Sequence, residues 1–174
     1  LAYNMADSID TVVADVLDSS NQVIDAGGPL TGVEIRKAVA KLRGDNVVER
    51  QKNLYACYLH PDVGFDLRDA EGPNKFEDVH KYTNPSPILE QAIGVFGGTY
   101  VIETPRSPIS GTGSTAAYST FALGKQALAE ATAVEARSVL GPVVDRLQRF
   151  RPLGWHMIAG WSLYRPEAMW KITS

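Results

Sequence analysis

From Leu153 to Leu163 the chain alternates. The odd positions hold Leu153, Trp155, Met157, Ala159, Trp161 and Leu163; the even ones hold Gly154, His156, Ile158, Gly160 and Ser162. A period of two over eleven residues predicts one long strand with one strongly apolar face. Arg165-Pro166 ends it, and "EAMWKIT" reads as a shorter returning strand. The front of the chain has a different period. In "LAYNMADSIDTVVADVLD" the apolar residues Leu1, Met5, Ile9, Val12, Val13, Val16 and Leu17 fall at helical spacing. The pattern is periodic from its first residue, which predicts a helix continuing from an earlier segment of a longer polypeptide. "LTGVEIRKAVAKLRG" reads as a second helix. Thr31 and Glu34 have capping-box spacing, Ile35, Ala38, Val39 and Leu42 form the buried stripe, and Gly44 stops it.

Between these ends the pattern shortens. "NLYACYLH" predicts a strand, and Pro61 can open a helix over "PDVGFDLRD". "NKFEDVHKYT" predicts a short helix broken by "NPSP". "AIGVFGGTYVIETP" reads as two strands turning at Gly97-Gly98, "SPISGTGSTAAY" as a flexible loop, and "AAYSTFAL" as a strand. "GKQALAEA" reads as a short helix or helical turn, and "TAVEARSVL" alternates as a strand should. The order is helix, helix, strand, helix, then mostly strands, an α+β layout with no internal repeat.

Charge adds an asymmetry. The 174 residues carry a net charge of -3, which argues against a nucleic-acid binder held by phosphate contacts. Residues 1–140 hold twelve basic and eighteen acidic side chains, and residues 141–174 hold five and two. A basic end on an acidic body suits self-association. Asp7, Asp10, Asp15 and Asp18 read as the solvated side of the first helix, and Arg36, Lys37, Lys41 and Arg43 as the exposed side of the second. No apolar run approaches the ~20 residues of a membrane helix.

Candidate chemistry is sparse. The lone Cys57 sits in an apolar run and reads as a small buried hydrophobe, which leaves no internal disulfide and no cysteine-rich zinc site. Glu77 and His80 have one copy of a carboxylate–histidine spacing that metal sites use in pairs. His60 precedes a helix-starting proline and is expected to cap or pack there. "SGTGST" lacks the lysine ending of a phosphate loop, and neither a nucleophile elbow nor a dinucleotide fingerprint is present. The residues predict no catalytic, metal or cofactor site. A rival reading, a small α+β hydrolase or metal-dependent enzyme, would require His60, Asp62, Glu77 and His80 to converge in one pocket.

Several stretches resemble, in order, the C-terminal part of a tailed-bacteriophage major capsid protein of the Hong-Kong-97-like fold. The helix to Asp18 resembles the end of the long spine helix. "LTGVEIRKAVAKLRGDNV" and "YACYLHPDVGFDLRD" resemble the helix, strand and helix of the axial domain. "AIGVFGGTYVIETP" resembles its strand pair, "STFALGKQALAEA" with "AVEARSV" the return to the peripheral domain, and "GWSLYRPEAMWKIT" the closing hairpin. The resemblance spans nearly the whole chain; the N-terminal arm and extended loop of that fold lie outside it.

The resemblance implies a truncated spine helix over 1–28, an axial domain over 29–135 and a return with a long closing β hairpin over 136–174. It implies a non-enzymatic structural protein that assembles as hexamers and pentamers into the icosahedral head of a phage in the host cytoplasm. The head would enclose double-stranded DNA without reading it. Scaffold, portal and decoration proteins are expected partners besides the chain itself, with no cofactor and no membrane. Ser110, Gly111, Thr112 and Gly113 are expected at an axial loop. Arg36, Lys37 and Arg68, set against Asp66, Asp69 and Glu71, are expected at subunit contacts. Trp155, Met157, Trp161 and Trp170 are expected to pack the peripheral domain, with the strand's apolar face over Leu1, Met5, Ile9 and Val12. Alternatives are an encapsulin-like compartment shell, which shares the fold, and a tail or adaptor protein.

Overall fold

A computed structural model describes residues 2–51, 53–69, 92–113, 116–145, 147 and 149–174. Helix α1 (Ala2–Asp18) leads to strand β1 (Val23–Asp25), helix α2 (Gly32–Gly44), strand β2 (Tyr55–Leu59) and helix α3 (Pro61–Asp69). Then come β3 (Ala92–Phe96), β4 (Thr99–Glu103), β5 (Ile109–Ser110), β6 (Ala117–Leu123), β7 (Leu128–Leu140) and β8 (Leu153–Leu163). A 3-10 turn at Pro166–Ala168 precedes β9 (Met169–Thr173). The class is α+β, as the residue pattern predicts.

Among the described residues, seven strands form one sheet in the order β1-β9-β6-β2-β4-β3, with β5 added to β6. β2 lies inside it, parallel to β4 and antiparallel to β6, and Tyr55, Ala56, Cys57 and Leu59 are buried. A strand enclosed on both edges and both faces should read as a continuous apolar run, and this one does. Helix α2 packs on β9 and β6, burying Ile35, Ala38, Val39 and Leu42. Ile35, Val39 and Leu42 each contribute roughly 1.5–3 kcal/mol by area, and Ala38 less.

The start of α2 follows from two residues. Thr31 Oγ1 accepts from Val33 N at 3.3 Å, and Glu34 Oε2 accepts from Thr31 N at 3.2 Å and from the Thr31 hydroxyl. Burial alone would raise the Glu34 carboxyl, but the Thr31 hydroxyl, the backbone N–H donors and nearby Lys37 outweigh it and hold it below its ordinary value. The β3–β4 turn has positive φ at both Gly97 (58°) and Gly98 (92°), the geometry of a two-residue hairpin.

Three expectations are corrected. "LAEA" is the first part of β7 and not a helix: Leu128, Ala129, Glu130 and Ala131 pair with Leu163, Ser162, Trp161 and Gly160. Pairing with a long neighbour overrides their helix propensity. The closing strands do not pair with each other. β8 pairs with β7, whereas β9 crosses into the large sheet between β1 and β6, so the 135/136 boundary falls inside β7. "SPISGTGSTAAY" is not an open loop throughout. Ile109 and Ser110 pair with Tyr118 and Ala117, and buried Ser107 donates to Ser119 O. The expected helix at "NKFEDVHKYT" and its "NPSP" break lie outside the described residues.

Candidate functional site

The β7–β8 hairpin stands apart from the large sheet, and its two faces differ. Trp155, Met157, Ala159, Trp161 and Leu163 are half-buried, while Gly154, His156, Ile158, Gly160 and Ser162 are exposed. The alternation read from the sequence is therefore the inner and outer side of this hairpin. α1 lies on the inner side, and Trp155 Nε1 donates to Asn4 Oδ1 at 3.0 Å. The cover is incomplete: Val12, expected under the strand, is 45% exposed, and Leu1 lies outside the described residues. Trp170 belongs elsewhere. It sits on β9 in the large sheet, beneath Lys41 Nζ at 4.6 Å from its ring centroid. The three tryptophans thus serve two sheets, not one hairpin.

The outer end of the hairpin is apolar and open. Val139, Leu140, Val144, Leu147, Phe150 and Leu153 are each 46–75% exposed. The tip is shaped by its own bonds: Gly141 N donates to Pro152 O at 2.8 Å and Val144 N to Phe150 O at 3.1 Å. Arg149 pairs with Asp145 at 3.0 Å and lies 5.4 Å from the Phe150 ring centroid. Such a cluster of exposed large apolar side chains marks a contact surface.

α1 joins the hairpin to the large sheet. Asp7 pairs with Arg106, and Asp18 Oδ1 accepts from Ser119 Oγ at 2.6 Å. Lys171 Nζ donates to Asp18 O at 2.8 Å. Asp7 and Asp18 are therefore tethers, whereas Asp10 and Asp15 remain on the solvated side assigned to all four.

The charged residues expected at contacts sit on two helices. Arg36 and Lys37 are exposed on α2, and their partners among the described residues lie on the same helix: Arg36 Nε donates to Gly32 O at 3.1 Å, and Lys37 lies 3.7 Å from Glu34. Arg68 pairs within the chain with Glu103 at 2.5 Å and keeps part of its side chain exposed. Gly64 lets α3 approach so closely that a Cβ there would collide with Glu103 Oε1. Asp69 is exposed, and neither Asp66 nor Asp69 has a cationic partner among the described residues; Glu71 lies outside them. Ser110 ends β5, and Gly111, Thr112 and Gly113 follow it as an exposed tip with positive φ at both glycines.

Among the described residues, His60 and Asp62 of the enzyme reading are engaged in local contacts. His60 Nδ1 accepts from Asp62 N at 3.2 Å, its ring lies 4.9 Å from Tyr118, and Asp62 accepts from Tyr118 OH at 2.8 Å. His60 thus caps α3 and packs on β6. The bond to Asp62, with burial and nearby carboxylate charge, pushes the Tyr118 phenol up. A groove of about 840 Å³ opens between α1 and the large sheet, lined by Val13, Leu17, Tyr58, Phe121 and Lys125, without His60 or Asp62. Glu77 and His80 lie outside the described residues. Among the described residues no three His, Cys, Asp or Glu side chains cluster to hold a metal, and no helix is long and apolar enough to cross a membrane. Cys57 is fully buried, which pushes its thiol up to about 12.

A family model described as phage capsid protein matches residues 4–168. The chain belongs to the phage capsid protein family. This capsid protein matches the head structure of Helicobacter pylori bacteriophage KHP40 with a TM-score of 0.73 at 14% identity, over 99% of this chain and 66% of that one. It matches a Mycobacterium phage Che8 structure with a TM-score of 0.68 at 15% identity, over 98% of this chain and 60% of that one. An encapsulin complex from Synechococcus elongatus matches with a TM-score of 0.55 at 10% identity, over 98% and 62%. At these identities the likeness is one of fold. The capsid protein spans about three-fifths to two-thirds of the length of these structures. No curated protein matches it.

Proposed function

We propose that this chain is the shell-forming part of a phage major capsid protein, a structural and non-catalytic protein that assembles with copies of itself. The observation that carries the reading is the hairpin tip. Leu140, Val144, Leu147, Phe150 and Leu153 lie open to solvent on a family member of known class, and a neighbouring subunit would cover them. α1 with the β7–β8 hairpin would form the peripheral lobe. The large sheet with α2 and α3 would form the axial lobe, carrying the Ser110–Gly113 tip toward the symmetry axis. Hexamers and pentamers of one chain would close an icosahedral head in the virion, built in the host cytoplasm. DNA would be confined inside without sequence-specific contact. Scaffold, portal and decoration proteins would act on the same shell.

The encapsulin-like reading shares the fold, but its match is looser than those of the phage heads (TM-score 0.55 against 0.73 and 0.68). Electron microscopy of the full-length protein expressed alone, at low and high salt, tests the proposal. Closed particles of uniform diameter are expected. Dispersed monomers under every condition, with or without a co-expressed scaffold, would overturn it. Small particles that copurify with an enzyme cargo would favour the compartment shell.

A further inference from the structure

Two helices of the large-sheet lobe carry opposite charge on their outer faces. On α2, Val33, Arg36, Lys37 and Ala40 are spaced i, i+3, i+4, i+7 and are all exposed. On α3, Asp62, Phe65, Asp66 and Asp69 have the same spacing; Asp66 is half-exposed and the other three are exposed. That spacing puts each set along one helix face. Each face also presents an apolar side chain to solvent, Val33 at 46% and Phe65 at 68% exposure.

The two faces lie at opposite ends of the central strands. α2 packs against the β3–β4 turn, where Tyr55 at the start of β2 pairs with Thr99. A Cβ on Gly97 would come within 3.2 Å of Arg36 Cγ. α3 leaves from the end of β2, where Gly64 lies against Glu103 at the end of β4. A five-residue strand separates these ends by roughly 17 Å. The basic face therefore cannot reach the acidic face of its own chain.

We infer that the α2 face of one copy docks on the α3 face of the next. The occupant is a second copy because the charge that complements the α2 face lies on the far end of the same lobe, out of reach within one chain but available on a neighbour. Such a contact is heterologous: each copy offers one basic and one acidic face, and successive copies close into a ring. Phe65 and Val33 would be covered at the centre, with Arg36 and Lys37 opposite Asp66 and Asp69. The inference rests on the shell reading and names one of its interfaces.

Charge reversal tests it on the full-length protein. R36E/K37E and D66K/D69K are each expected to fold, by circular dichroism and melting, yet to lose ring assembly, because each sets like charge against like. Combining all four substitutions in one chain is expected to restore rings of every size. Mixing the two reversed variants is expected to restore only even-membered rings, since the copies must alternate. Raising salt should weaken wild-type rings, because exposed charges are screened beyond about 10 Å at 0.1 M. Wild-type assembly by both reversed variants overturns this inference and leaves the shell reading standing. So does failure of the folded fourfold variant to regain rings that the wild type forms. A wild type that forms no assembly overturns both readings.

Discussion

Thr31 and Glu34 show how much a pair of side chains decides. They satisfy the first backbone donors of α2, and without them those N–H groups would face a partly buried helix end. Thr31→Ala is expected to cost about 1 kcal/mol in denaturant unfolding at neutral pH. Glu34→Gln should show the charge component through pH. The Glu34 carboxyl is held below its ordinary value when folded. Its contribution is therefore full above the unfolded carboxylate pKa and is lost as pH falls through the lowered folded value. The stability gap between wild type and Glu34→Gln should close on acidification; a gap constant with pH would refute the linkage. Cys57 gives a second test at this scale. With its thiol pushed up to about 12, about one molecule in ten thousand carries the thiolate at pH 8. An aromatic disulfide reagent should label it slowly in native protein and at once in denaturant. Rapid native labelling would contradict the burial of β2.

Elements are where the sequence was read most and least well. The bounds of α3 and β8 were legible because one begins with proline after a strand and the other alternates without a break. The capping box and the Gly97-Gly98 turn were legible for the same reason: each depends on residues close together in the chain. What distant residues decide was not. β1 is three residues long and exists because Val23, Ile24 and Asp25 pair with Lys171, Ile172 and Thr173, far along the sequence. "LAEA" is a strand because β8 lies beside it. Trp170 sits in a different sheet from Trp155 and Trp161 because β9 leaves the hairpin, a choice that the common "W" pattern does not encode. The link between α1 and the hairpin is a further long-range contact. Trp155→Phe keeps most of the ring and removes the bond to Asn4. Loss of one such bond costs about 0.5–1.5 kcal/mol. Hydrogen exchange should quicken in the first turns of α1 while β2 and β6 stay protected. Unchanged exchange in α1 would mean that the bond does not hold the helix.

At the scale of the molecule, two sheets with one helix across them leave much apolar surface uncovered. Beside the Asp145–Arg149 pair, the hairpin tip exposes Leu147 and Phe150, more clustered apolar surface than a subunit that stays alone in water should show. These side chains touch little within the chain, so truncating them should hardly change its folding. In an assembly each would be removed from water, at about 25 cal/mol for every Å² of apolar area. Leu147→Ser with Phe150→Ser is therefore expected to leave the melting temperature of the unassembled subunit nearly unchanged and to abolish closed particles. The pair separates the tip from the charged helix faces, because ring formation through α2 and α3 should survive it. Rings without closed shells would assign the tip to contacts between rings. Closed shells formed as readily as by wild type would show that the exposed apolar cluster does not join subunits, and the carrying observation for shell assembly would fall with it.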